Sequence, residues 1–127
     1  MSQHYILVDG YKIKQPDIFT PNWATTYTDD SGRALSGKAF LDPLFTAESY
    51  EFEATDLSAE EAYEILTRIV PRPSKPTFKL TYFSWFYNKW RTDTFYVGQG
   101  SLECKTLKDN KERLEKISCD MIGVNPI

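Results

Sequence analysis

Only one stretch of this chain, Leu57–Val70 (LSAEEAYEILTRIV), has a helical apolar period, and the segments on either side of it alternate as strands do. Ser58 with Glu61 fits a capping box: the serine oxygen takes a free backbone N–H, and the glutamate reaches back to the N–H of the cap. Ala62, Ile65, Leu66 and Ile69 recur at helical spacing and share one face. Glu60, Glu64, Thr67 and Arg68 fall mostly on the other. Pro71 and Pro73 stop the helix, because proline lacks a donor and clashes with the preceding turn. A single short amphipathic helix cannot bury its own stripe and needs a sheet to lie on. The expected class is therefore α+β and β-rich: an antiparallel β-sandwich or partly closed barrel with one flanking α-helix at about 58–70.

The strands are read from alternation and turn chemistry. HYILVDGYKIKQ, residues 4–15, predicts a hairpin about Asp9-Gly10, since a tight two-residue turn needs positive φ. DIFTPN, bracketed by Pro16 and Pro21, predicts loop or edge structure, and Trp23–Thr28 a strand. Asp29-Asp30-Ser31-Gly32 is a turn cluster, followed by strand-like ALSGKAF, where Gly37 marks a bulge or a close approach. In FTAESYEFEAT, Phe45 and Ala47 share one side while Tyr50, Phe52 and Ala54 share the other. The phase therefore changes near Glu48-Ser49, which predicts a bulge or break there. PRPSKP is expected to be extended and stiff. TFKLTYF and RTDTFYV read as strands joined by the aromatic loop SWFYNKW with Asn88 near its tip, and Gly98 and Gly100 predict a corner. SLECKTL and LEKISCDMI form a last hairpin. Centring its turn between Lys111 and Glu112 places Cys104 opposite Cys119, as two reduced small core residues or, alternatively, a cross-strand disulfide.

Composition narrows the function classes. The 127 residues fit one domain spanning 1–127, with no repeat, low-complexity run or linker. A net charge of −3 without a basic patch gives nucleic acid little purchase. No run of about 18 apolar residues exists to span a membrane, and MSQHYILVDG does not read as a signal peptide. The expectation is a protein made in a reducing cytosol. No catalytic, cofactor-binding or metal-binding residue is assigned. The sole histidine, His4, sits near a terminus, and one histidine with two cysteines does not make a zinc set. Tyr96-Val97-Gly98-Gln99-Gly100 is not a phosphate loop. Glu51 and Glu53 lie about 6.6 Å apart on one side of a strand, as a solvated face would place them. Glu60, Glu61 and Glu64 complement the helix dipole. The chain is expected not to be an enzyme and to need no cofactor or small-molecule substrate.

Two segments stand out as candidate protein interface. In DDSGRALSG, Asp30, Ser31, Gly32, Arg33 and Gly37 surround an arginine, a residue type favoured at interfaces. In SWFYNKW, Trp85, Phe86, Tyr87 and Trp90 cannot all point inward from one short loop, and an exposed aromatic cluster marks a surface for protein or for sugar.

The order of DSGRALSGKAF, a long strand, DLSAEEAYEILTRI, TFKLTYFSWFYNKWRTDTFYVG and a final ISCDMIGV resembles a family of small, mostly uncharacterised phage and prophage tail proteins from siphophages of Gram-positive bacteria. The residues that carry the likeness are Asp30, Ser31, Gly32, Arg33 and Gly37; Leu57, Ser58, Glu60 and Glu61; Thr94–Gly98; and Ile117–Ile122. It covers about residues 8–124. The resemblance implies a tail-tube or distal-tail building block: a β-sandwich with one helix that assembles into rings, with itself or with other tail proteins, and resides in the virion tail after synthesis in the host cytoplasm. Ring contacts would be heterologous, with edge strands paired across subunits. The alternative from another class is a carbohydrate-binding β-sandwich that stacks sugar on Trp85, Tyr87 and Trp90. That alternative requires these rings to be coplanar and exposed on one face.

Overall fold

The computed structural model describes residues 4–27, 32–33, 37, 39–40 and 43–127. Seven antiparallel strands form one sheet: β1 (Leu7–Val8), β2 (Tyr11–Lys12), β3 (Ile18–Tyr27), β6 (Pro43–Ser58), β7 (Phe78–Ser84), β8 (Lys89–Thr106) and β9 (Arg113–Gly123). Their order across the sheet is β2-β1-β7-β8-β9-β6-β3. A separate two-stranded ladder pairs β4 (Gly32–Arg33) with β5 (Ala39–Phe40). The one helix, α1 (Ala59–Ile69), follows β6 directly.

The sheet is curled. Strands β2 and β3 are consecutive in the chain yet lie at opposite margins. Across a flat sheet those margins would stand about 29 Å apart. The link from Lys12 to Ile18 reaches only about 20–22 Å when fully extended. The two walls accordingly meet across the core. The Tyr50 and Tyr82 rings approach to 5.1 Å between centroids although β8 and β9 separate their strands. The link crosses the gap close to the last turn of β6. Lys14 Nζ donates to the Thr55 carbonyl at 2.7 Å, and Asp17 Oδ2 accepts from Thr55 N–H at 2.8 Å and from its hydroxyl at 2.6 Å. Gln15 closes the other side, accepting from Ile6 N–H at 2.9 Å and donating to the carbonyls of Ile6 and Ile13. The architecture is thus β-rich α+β, an open, partly closed barrel whose facing walls pack like the layers of a sandwich.

The helix forms as its sequence dictates. Glu61 N–H donates to Ser58 Oγ at 3.2 Å and Ser58 N–H to Glu61 Oε1 at 3.0 Å, completing the capping box. Those bonds hold the Glu61 carboxyl below its ordinary pKa. Ala62, Ile65 and Ile69 are buried inside the curl, where the helix touches β6, β9 and β1. The Asp9-Gly10 hairpin is present, both residues having positive φ, at 54° and 78°. Phe78, Leu80 and Tyr82 on β7, Phe95 and Val97 on β8, and Ile117, Cys119 and Met121 on β9 all face the core. DIFTPN enters β3, a margin strand, and Trp23 onward continues that strand to Tyr27. Thr28 and the Asp29–Ser31 turn lie outside the described residues.

Several expectations are corrected. No bulge lies at Glu48-Ser49: β6 pairs with β3 in unbroken register from Phe45 to Glu53, and the shift falls at Thr26/Tyr27. The alternation simply continues, placing Glu48 inside with Tyr50 and Phe52 and leaving Phe45 and Ala47 outside. PRPSKP is a tight turn, closed by Arg72 and Lys75 exchanging backbone hydrogen bonds of 3.1 and 2.8 Å. Lys75 then ties that turn to Asp9 at 2.6 Å. Gly37 has φ 89°, a conformation that favours glycine, while its neighbours at 34–36 and 38 lie outside the described residues. Gly98 and Gly100 make no corner; β8 runs on to Thr106 with a register shift between Val97 and Gly100. Cys104 lies opposite Leu114, and Cys119 opposite Gly100. The hairpin turns at Asp109-Asn110, where Asn110 takes φ 63°, and bulges near Cys104 displace the register further.

Both thiols are free, Cys104 exposed and Cys119 buried. Burial pushes the Cys119 thiol up to about 12. A thiol reagent at neutral pH should therefore label one cysteine in the native protein and both in denaturant. Native labelling of two would contradict the burial of Cys119. Ser58→Ala should cost about 1 kcal/mol in urea unfolding. The part that Glu61 supplies is present above its unfolded pKa of about 4.3 and fades as pH falls through the depressed folded value.

Candidate protein interface

The buried polar centre of the molecule is Glu48, 3% exposed on the inner face of β6. Its carboxylate accepts from Tyr50 Oη at 3.0 Å, from Ser84 Oγ at 3.1 Å and, through a short contact, from Tyr82 Oη. A charge taken out of water is tolerable only when its lone pairs are satisfied, and here three hydroxyl donors do so. Gly123 makes room, since a Cβ there would meet the Glu48 carbonyl oxygen at 3.2 Å. Burial, reinforced by the neighbouring Glu48 carboxylate, raises the pKa of both tyrosines. Both hydroxyls therefore stay protonated and keep donating.

This centre reaches the surface through Ser84. The Ser84 hydroxyl also accepts from Tyr87 N–H at 3.3 Å, so the Glu48 cluster anchors the turn Trp85–Asn88 between β7 and β8. Asn88 takes φ 55° to complete that turn. The aromatic residues of the turn and of the first residues of β8 each have a ring or cation partner. Trp85, 69% exposed, packs edge-on against Phe83. Phe86 extends the other way and meets Trp23 edge-on at 6.4 Å. Tyr87 lies under the Arg91 guanidinium at 3.8 Å. Trp90, half-buried, is stacked by His4 at 5.0 Å. Trp90 is thus covered on one face by His4 and Tyr87 by Arg91, while Trp85 and Trp90 both meet Phe83 edge-on.

Phe86 leads to a surface that the sequence did not single out. Strand β9 pairs with β6 only from Ser49 onward, so Pro43–Glu48 and the facing part of β3 extend as a two-stranded arm. Trp23 (65%), Leu44 (61%), Phe45 and Tyr27 are exposed on it. Strand β3, IFTPNWATTY, carries no charge over ten residues, and its outer edge has no partner strand among the described residues. That absence of charge was readable, but it signals an interface only once β3 is known to be a margin strand. The β4–β5 ladder forms at Gly32 and Arg33 between the two strands of the arm, as a sheet of its own; Asp30 and Ser31 lie outside the described residues. The aromatic turn joins the arm through Phe86 and Trp23. Among the described residues no cluster of His, Cys, Asp and Glu has the makings of a metal site.

Glu48→Ala would strand three buried hydroxyls and should cost about 2–4 kcal/mol, with Glu48→Gln milder. A change below about 0.5 kcal/mol in urea unfolding would show that the cluster does not hold the walls together. The raised tyrosine pKa values also set an alkaline limit. Unfolded tyrosines ionise near pH 10, while the folded pair keeps its protons, so this stabilisation is complete below about pH 10 and lost above it.

No protein-family model matches the chain, and no curated protein matches it at a significant level.

Proposed function

We propose that this protein is a structural subunit that works by protein–protein assembly, in the tail of a bacteriophage or prophage, without catalysis. The observation that carries assembly is the uncharged edge of β3 with Trp23, Leu44 and Phe45 exposed around it. Proteins guard a free edge with lysines, bulges or proline, because its unpaired N–H and C=O groups recruit other strands. Here Pro21 and the register shift at Thr26/Tyr27 are the guards within the strand, and no lysine stands in it. Large aromatic side chains beside an open edge are what a partner strand would cover. The tail assignment rests on the family resemblance, which supplies the expected partners: further copies in heterologous contact, or neighbouring tail proteins. The sugar-binding alternative has less support, since His4 covers a face of Trp90 and Arg91 a face of Tyr87.

The arm and the tail location are tested separately. Trp23→Lys combined with Ala24→Lys places charge on an exposed edge and should leave the fold intact. Light scattering should show wild-type oligomers and a variant whose association is weakened at least about 30-fold, the loss of one aromatic hot spot. A wild-type protein that stays monomeric at 100 µM, alone and with purified tail proteins, would overturn assembly. Absence of the chain from purified virions by mass spectrometry would overturn the tail location alone.

A further inference from the structure

A second open edge lies at the far end of the molecule from the arm. Strand β7 pairs with β8 only over Lys89–Phe95, so beyond Val97 the strand β8 has β9 on one side and, among the described residues, no strand on the other. Register shifts flank the stretch Gly100–Glu103, but within it the pairing with β9 is regular, from Gly100↔Cys119 to Glu103↔Lys116. That leaves a straight edge about as long as a short added strand needs. Beside it, between the sheet and the C-terminal turn of α1, runs a cleft of about 250 Å³ lined mainly by Leu66, Val70, Pro71, Leu102 and Ile117. Leu102 is 50% exposed there. An open backbone edge next to an apolar slot fits an extended peptide that hydrogen-bonds along the edge and drops alternate side chains into the slot.

The charges at the end of the edge select the peptide. Lys105, Lys108 and Lys111 stand together around an open cleft with Arg113 at the β8–β9 turn. Arg113 is taken by Asp56 at 2.9 Å, and the Glu112 carboxylate accepts from Asn110 N–H at 3.3 Å. The three lysines make no ion pair among the described residues, and Glu60 is the other acid on that cleft. We propose that the Gly100–Glu103 edge of β8 takes up a short extended segment of a partner protein, apolar in its middle and acidic where it passes Lys105, Lys108 and Lys111. The site is independent of β3 and does not require the tail assignment.

A fluorescein-labelled peptide of alternating valine and threonine, ended by three aspartates, is the probe. It should bind saturably, and an otherwise identical peptide ended by three lysines should bind at least about 10-fold more weakly, the steering expected of charge complementarity. N-methylation of alternate valines, which removes backbone donors, should abolish binding. Lys105→Glu, Lys108→Glu and Lys111→Glu together touch no core residue and should reverse the preference between the two peptides. Leu102→Glu should weaken both. Amide exchange should slow at 98–103 when the aspartate peptide is added. No saturable binding, equal binding of the two peptides, or protection confined to other strands would overturn the proposal. So would protection of 98–103 in the free protein that disappears on dilution, because a second copy would then be the occupant.

Discussion

Everything in this molecule depends on keeping a carboxylate inside a curled sheet. Glu48 sits where β6, β7 and the turn after β7 converge, and its acceptors are filled by hydroxyls from β6 and β7. Those strands are not neighbours in the sheet, so the bonds form only when the sheet is rolled. An uncompensated buried charge costs several kcal/mol, which makes a flatter sheet unfavourable in a way that apolar packing alone would not. The rings of Phe19, Tyr50, Tyr82 and Phe95 that fill the same space contribute area and edge contacts. The carboxylate contributes the requirement that they meet in one arrangement.

The curl in turn decides what is left over. Rolling brings β2 and β3 close enough for the five-residue link Ile13–Asp17 to bridge them without pairing their edges. The helix fills the inner space where β6, β9 and β1 face each other. On the outer side of the sheet Phe45, Ala47, Tyr96 and Ile122 line an apolar hollow, to which the C-terminal residues Val124 and Pro126 contribute. Burial of Glu48 and exposure of Phe45 follow from one fact, an unbroken alternation through β6.

That fact also marks where the sequence stopped being readable. Features set by neighbours in the chain were legible: the Ser58–Glu61 cap, the Asp9-Gly10 turn, the alternation of Phe78, Leu80 and Tyr82, and the return through Phe95 and Val97. Each depends on contacts within a few residues or on a single period. Glu48 was not legible because alternation was read on the assumption that apolar side chains face inward. A buried acid is acceptable only given hydroxyls 34 and 36 residues away. The Cys104–Cys119 register failed for a related reason. Bulges shift a register by whole residues and leave little mark in sequence beyond a glycine or a turn asparagine. The aromatic turn was placed correctly, yet the direction of each ring depended on Ser84, Trp23 and His4, which lie on three different parts of the chain.

The two open edges differ in how they can discriminate. On β3 the edge has no charge, so the partner proposed for it would be selected by backbone register and by the shapes of Trp23, Leu44 and Phe45. A neutral edge admits many strands, and specificity there has to come from repeated geometry, as it does between copies in an ordered array. At the end of β8 the edge is short, bounded by bulges and followed by three lysines that make no ion pair among the described residues. Like-charge juxtaposition excludes wrong partners at a cost of several kcal/mol, so the proposed site would reject basic segments whatever their shape. If both proposals hold, one sheet offers a surface suited to packing beside its equals and another suited to a single chemically distinct segment, on different strands of the sheet.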